Sequence, residues 1–364
     1  MILSFDDFLV EFIKKREEEL NGGTIFKPGC NGLYNDPETP IRNNCHYLVI
    51  YSYLYSITNQ DIYYKKLVAL ENYILNNHYK GFTYECRNKK NKDLCNGLIG
   101  TAWISEGLLS SYEVTKNKEI LQRLLTIYNF HPFDYNKAVW PNRVEPNGDL
   151  LTIDRTLNHQ IWFASGLAML LQKTEDVDLQ RKLDVFLNKL PKLIKFTNGL
   201  IYHTIGISKE YFKTRLKRFL KRSYRNEMKM KEAGYQNFNF LGLLILDKYS
   251  NSTFLNSAFL KKAITKLENP EYKKLLSDNN YAYPYNPVGI ESSVVYSNLG
   301  FNIQKVIEKL NNQFEVTWSK ECFGFSKTND ENTLNARLYE ILYLDKNYRN
   351  KLFFDTEKGK WIYK

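Results

Sequence analysis

The chain has 364 residues, 43% of them hydrophobic and 15% aromatic, which is enough to bury a large core and excludes a disordered chain. Lys and Arg outnumber Asp and Glu by 51 to 40, a formal charge of +11 that favours anionic partners such as acidic glycans, nucleic acid or a lipid surface. Five cysteines, an odd number, suit reduced thiols in a cytoplasmic protein better than a disulfide framework, and no uninterrupted apolar run reaches the roughly 18 residues of a spanning helix.

The N-terminal stretch MILSFDDFLVEFIKKREEEL scatters acids among its apolar residues and lacks the basic start of a signal peptide, so Phe5 to Leu20 reads as a helix. From Tyr47, YLVIYSYLYSITNQDIYYKKLVALENYIL reads as a helix, a polar break at Thr58 to Gln60, and a second helix. From Ile99 the pattern recurs with its break at Thr115 to Asn117, a third pair starts at Asn158 and breaks near Thr174, and a fourth starts near Tyr235 and breaks at Ser250 to Ser252. Tyr55-Ser-Ile-Thr58 and Tyr112-Glu-Val-Thr115 even share their end residues.

In each hairpin the first helix is apolar nearly all round and the second carries an apolar stripe with a charged face. The first helices therefore form an inner layer and the second an outer one. Loops rich in Gly, Pro, Asn and aromatics precede six inner helices, which start near Asn44, Gly97, Asn158, Tyr235, Gly289 and Asn332. Six inner helices backed by outer ones predict an all-α (α/α)6 toroid over a single domain, 1–364, with the N-terminal helix as sixth outer partner. Short rim strands are expected at GFTY and GLIY. A helical solenoid is the rival architecture.

The inner-helix heads and their loops would converge on a funnel, and DRTLNHQIWF (Asp154 to Phe163) crowds polar groups onto one such head. Asn158 and His159 fall on the first turn, where free N–H groups favour an anion, and Trp162 lies one turn further, placed to offer a face to a sugar ring. The plainer reading makes Asn158 a cap and His159 a structural histidine. Asp36, Glu38, Arg42 and His46 gather at the first loop and helix, where Arg42 could clamp a carboxylate. Glu106 sits inside an apolar helix and needs a cation or a proton. Glu291 and Arg337 occupy the fifth and sixth heads, and Trp103, Gln160, Gln236 and Tyr283 complete the expected sugar-binding set. No cysteine or histidine spacing resembles a zinc site, and no cofactor motif is present in the sequence.

LNHQIW and the helical layout resemble the (α/α)-toroid carbohydrate enzymes: alginate lyase-like and heparinase-like lyases, glucuronyl C5-epimerases, unsaturated glucuronyl hydrolases and N-acylglucosamine 2-epimerases. GLYNDPETPIRNNCHY and NTLNARLYE also resemble uncharacterised proteins of surface-glycan clusters. In the lyases an Asn-His pair neutralises the substrate carboxylate and a Tyr moves the proton, which the resemblance carries to Asn158, His159 and Tyr235. It implies proton abstraction beside a carboxylate of an acidic glycan, ending in epimerisation or elimination. A hydrolase using two of Asp36, Glu106, Asp154 and Glu291 is a second reading, and a non-catalytic glycan-holding toroid a third.

One segment breaks the repeat. SKEYFKTRLKRFLKRSYRNEMKMK, from Ser208, lies within a basic insertion over 205–232 and holds ten Lys or Arg against two Glu. It reads as a lid for an acidic glycan, an interfacial helix on anionic lipid (208–231), or a solvated helix, with no motif for nucleic acid. Oligomeric state is not legible.

Overall fold

The computed structural model describes residues 1–206 and 209–364, so Ile207 and Ser208, inside the predicted insertion, lie outside the described residues. Six inner helical segments close a ring: α2 (Ile41–Thr58), α4 (Gly97–Thr115), α6 (Leu157–Leu171), α9 (Arg222–Ser250), α12 (Val288–Asn298) and α14 (Glu331–Ala336). α14 continues as 3-10 turns over Arg337–Tyr343, which pack between α12 and α2 and complete the circle. The outer layer is α3 (Asp61–Asn76), α5 (Lys118–Phe130), α7 (Val177–Leu193), the pair α10 (Ala258–Lys266) and α11 (Pro270–Ser277), and α13 (Ile303–Thr317). The N-terminal helix α1 (Phe5–Glu18) takes the sixth place, touching α2 and setting Phe8 against Phe314 of α13. This is the expected (α/α)6 toroid.

The repeated Tyr-x-x-Thr ending has a physical basis. Asn59 and Lys116 follow it in left-handed conformation (φ 52° and 55°), and their N–H groups donate to the Tyr55 and Tyr112 carbonyls. The Thr58 and Thr115 hydroxyls donate back into their helices and accept the N–H of Gln60 and Asn117, turning the chain into the outer helix.

The two chain ends are stitched together. β1 (Ile2–Ser4) pairs antiparallel with β8 (Leu352–Asp355), which pairs with β9 (Lys360–Tyr363), while α15 (Lys346–Arg349) leads into this sheet. Three two-stranded hairpins lie in the loops: β2 (Asn142–Val144) with β3 (Leu150–Ile153), β4 (Phe196–Thr197) with β5 (Leu200–Ile201), and β6 (Trp318–Ser319) with β7 (Gly324–Phe325). GLIY therefore supplies a strand, whereas GFTY makes only a Tyr79–Tyr84 bridge.

The fourth inner helix departs from expectation. It starts at Arg222, not near Tyr235, and runs unbroken for 29 residues after the insertion helix α8 (Lys209–Leu220). Gly234 resembles a stop signal but serves close packing, because a Cβ there would lie 2.5 Å from the Tyr281 backbone oxygen. Among the described residues no helix is long and apolar enough to cross a membrane.

Candidate active site

The inner-helix heads and the loops before them surround a cavity of about 210 Å3. Arg42 of α2, Ile99 and Trp103 of α4, Asn158 and His159 of α6, and Lys231, Tyr235 and Phe238 of α9 line it. Loop residues including Tyr34, Asp36, His203 and Tyr285 complete the wall, with Arg337 from the sixth segment.

His159 is oriented from behind. Its Nδ1 lies 2.7 Å from Asp154 Oδ2, and the buried carboxylate also accepts N–H bonds from Leu98 (3.1 Å) and Thr156 (3.1 Å). Burial opposes ionisation of Asp154, but the charge and hydrogen bond of His159 and those two N–H groups outweigh it and hold the carboxyl well below its usual range. An ionised acceptor at Nδ1 fixes the ring tautomer and leaves Nε2 as the nitrogen available to the cavity. Gly97 permits this contact: at φ +63° it opens α4, and a Cβ there would stand 2.5 Å from Asp154 Oδ2 and 2.9 Å from His159 Nδ1. Asn158 is not the cap, a position held by Thr156, and its buried Oδ1 has no partner.

The loop after β5 is laced to the head of α6. Leu157 N–H donates to His203 O (2.9 Å), Ile205 N–H donates to Arg155 O (3.0 Å), and Thr156 bridges Thr204. The first free N–H of α6 is thus spent on the chain itself, and the lacing brings His203 into the wall that His159 lines. Burial, followed by the charges of Lys231 and His159, holds the His203 imidazole well below its usual pKa, in the neutral form. Its ring centroid lies 5.3 Å from that of Tyr235.

Tyr235 heads a phenol chain. It donates to Tyr285 (3.1 Å), which donates to Asn31 Oδ1 (3.1 Å), and Tyr34 Oη lies 3.5 Å away. Burial and then the neighbouring Tyr285 and Tyr34 push its pKa well up, so Tyr235 keeps its proton. Protonated, it offers no base, and as a weak acid it gives its proton only to a strongly basic centre such as a carbanion.

Most cavity cations are already paired. Arg42 bonds Glu38 (2.9 Å) beneath the Trp103 ring, Arg87 and Lys92 meet Asp36 (3.2 and 2.7 Å), and Arg337 contacts Glu291 and Glu340 (2.7 Å each) and Asn286 (2.9 Å). Lys231 is different. Among the described residues it forms no ion pair, and its Nζ lies 5.7 to 6.0 Å from the ring centroids of Tyr34, Tyr235 and Tyr281. Burial lowers its pKa.

Several predicted residues stand elsewhere. Trp162 is 2% exposed, stacked on Phe238 with its indole N–H donating to Phe238 O, so it offers no face to a sugar. Gln160 braces the Trp140 backbone and Gln236 the Gly199–Ile201 hairpin, both fully buried. Tyr283 lines a separate depression beside Tyr272 and Tyr296. Glu106 lies behind the wall, accepting from Tyr339 (2.6 Å) and Tyr343 (2.5 Å), and burial raises its pKa to about 7. His46 stacks on Tyr339 at 4.5 Å, and burial keeps it neutral. Glu291 and Glu340 share Arg337, and burial raises both carboxyls. Asp36 alone of the proposed acids faces the cavity, yet Lys89 and Lys92 outweigh its burial and hold it ionised. His203, Lys231 and Tyr34 were not anticipated as site residues. Among the described residues no group of three His, Cys, Asp or Glu could hold a metal ion.

No family model matches the chain. A curated relative, archaeal glycosylation protein Q of Haloferax volcanii, is 30% identical over 343 residues, covering 87% of this chain and 91% of the relative. Among solved structures, cellobiose 2-epimerase from Bacillus thermoamylovorans B4167 matches 92% of this chain and 98% of its own at TM-score 0.58 and 14% identity. A D-mannose isomerase matches 92% and 97% at TM-score 0.58 and 16% identity. The unsaturated glucuronyl hydrolase of Bacillus sp. GL1 matches 95% and 98% at TM-score 0.57 and 11% identity. At these identities the likeness to the solved structures is one of fold.

Proposed function

The chain belongs to the family of archaeal glycosylation protein Q, and from that footing we propose that it is an enzyme of glycan assembly that moves a proton on an acidic sugar. The observation that carries this reading is the Asp154–His159 pair, which occupies Nδ1 and leaves Nε2 as the unengaged nitrogen of a ring that lines the cavity with the proton-bearing Tyr235. His159 Nε2 takes the proton from the carbon beside the sugar carboxylate, and the electron pair moves onto the carboxylate oxygens. Lys231, which makes no close ion pair among the described residues, stabilises that charge, with Asn158 in hydrogen-bonding support. Tyr235 returns a proton to the opposite face, inverting the centre, and recovers its own through Tyr285 or solvent, while His159 releases the abstracted proton to solvent. Expulsion of a 4-substituent would turn the same first step into elimination. We take 1–364 as one catalytic unit whose 205–232 insertion contributes Lys231 to the wall.

The relatives give this reading its context. A glycosylation protein supports a biosynthetic setting, and two of the fold neighbours, a 2-epimerase and an isomerase, rearrange sugars without cleaving them. Hydrolysis has fold neighbours too, the unsaturated glucuronyl hydrolase among them, and it is the carboxylates of this chain that speak against it. Glu106, Asp154 and Glu291 are each committed to a partner behind the wall, so the two free carboxylates that the reaction needs are missing from it.

The test is mass spectrometry of uronic acids, their oligosaccharides and neutral hexoses after incubation in heavy water. The expected result is one stable deuterium on an acidic sugar carbon, reduced at least about a hundredfold in Asp154→Asn. Sugars that bind and are released with neither deuterium nor an unsaturated product would make the toroid a glycan holder.

A further inference from the structure

We propose that α8 is a docking helix for an anionic lipid surface. Its twelve residues carry Phe212, Leu216, Phe219 and Leu220, exposed by 61, 60, 82 and 68%. At 100° per residue these four share an arc of about 100°. The opposite face is held to the protein: Tyr211 packs edge-on against Tyr202 (5.2 Å), and Arg218 lies over the Tyr202 ring and makes a double hydrogen bond to Glu232. An apolar stripe presented outward on a helix anchored by its inner face is not a core element left loose.

Charge decides the occupant. Arg215 flanks the stripe on one side and Lys213 and Lys217 on the other, with Lys221, Arg222 and Arg225 exposed at the corner into α9. Glu227 is the one exposed acid near that corner among the described side chains. An apolar groove on a partner protein would bury the Phe and Leu side chains but offer no anions to the cations that flank them. A bilayer bearing anionic headgroups meets both, with the stripe among the acyl chains and the cations at the phosphates. The helix is also tied to the cavity wall, because Glu232 accepts the His203 N–H (3.2 Å) and neighbours Lys231. This inference does not depend on the proposed reaction, since binding is read without turnover.

The experiment is flotation of the full chain with vesicles of phosphatidylcholine alone or mixed with phosphatidylglycerol, alongside Phe219→Trp fluorescence. Binding is expected only with the anionic vesicles, weakening as salt rises, with a blue shift of the new tryptophan. Leu216→Ser with Phe219→Ser should weaken partition by about tenfold or more, and Lys217→Gln with Lys221→Gln should weaken it too. Unchanged circular dichroism melts would show that these surface variants fold. The proposal is overturned if neither vesicle binds, or if the serine variant binds as wild type, which would mean charge adsorption alone. It is equally overturned if sedimentation shows a dimer that the serine variant dissociates, for then a second copy covers the stripe.

Discussion

Replacing Gly97 by Ala tests the Asp154–His159 pair without removing a single ionisable group. The backbone at φ +63° costs an L-residue about 1–2 kcal/mol. The added methyl would then sit 2.5 Å from Asp154 Oδ2 and 2.9 Å from His159 Nδ1, well inside contact distance, so the 2.7 Å bond between them must open. A displacement near 1 Å costs up to about a hundredfold in rate, or about 2.7 kcal/mol of barrier. Gly81→Ala is the control, because Gly81 has φ +100° and nothing within 4 Å of the new methyl. Both variants should lose a few degrees of melting temperature, but only Gly97→Ala should lose deuterium incorporation. Histidine-selective 15N spectra should show the His159 tautomer change in Gly97→Ala alone. If Gly97→Ala matches Gly81→Ala in turnover and keeps the wild-type imidazole signals, the pair is a packing contact and His159 is not the base.

Three further outcomes follow from the same geometry. Lys231→Met should weaken glucuronate binding by about ten- to a hundredfold in titration calorimetry and glucose binding far less, because only the acid loses a charge partner; equal losses would make Lys231 a packing residue. Tyr235→Phe should stop inversion while deuterium wash-in with retention persists through His159, whereas wild-type product ratios by NMR would clear Tyr235 of the donor role. Glu106 has a folded pKa raised to about 7, so its stabilising effect is complete below its unfolded value near 4.3 and is lost as pH rises through 7. Glu106→Gln should therefore remove a loss on the order of 3 kcal/mol between pH 5 and pH 8, and parallel denaturation profiles for the two proteins would contradict the buried acid.

The toroid was legible because burial on two sides and burial on one side leave different marks. Inner helices such as α4 are apolar around their whole circumference, outer ones such as α7 only along a stripe, and the alternation gives the ring. The same logic fails at a glycine. Gly234 in sequence is indistinguishable from a helix stop, and only the approach of Tyr281 reveals a packing site, so the fourth inner helix was cut short by more than ten residues at Tyr235. Trp162 failed for a related reason. Sharing a helical face with His159 says that two side chains point the same way near the head, but one turn deeper that direction already meets α9, and Phe238 covers the ring.

The residues that complete the cavity were hidden because distant chain segments create their meaning. His203 is one histidine in a rim loop until the Leu157–His203 and Ile205–Arg155 backbone bonds lace that loop to the head of α6. Lys231 is one of ten cations in its run, and composition reads all of them as a solvated face. The fold separates them. It turns α8 outward with its cations around an apolar stripe, and then, by carrying α9 through Gly234 without a break, it brings Lys231 beside three tyrosine rings, where Glu227 and Glu232 act on it only from beyond ion-pair distance. A half-buried cation that makes no ion pair is costly, and in a chain that pairs Arg42, Arg87, Lys92 and Arg337 with carboxylates, the proposed acidic substrate would give Lys231 the close partner that the fold does not.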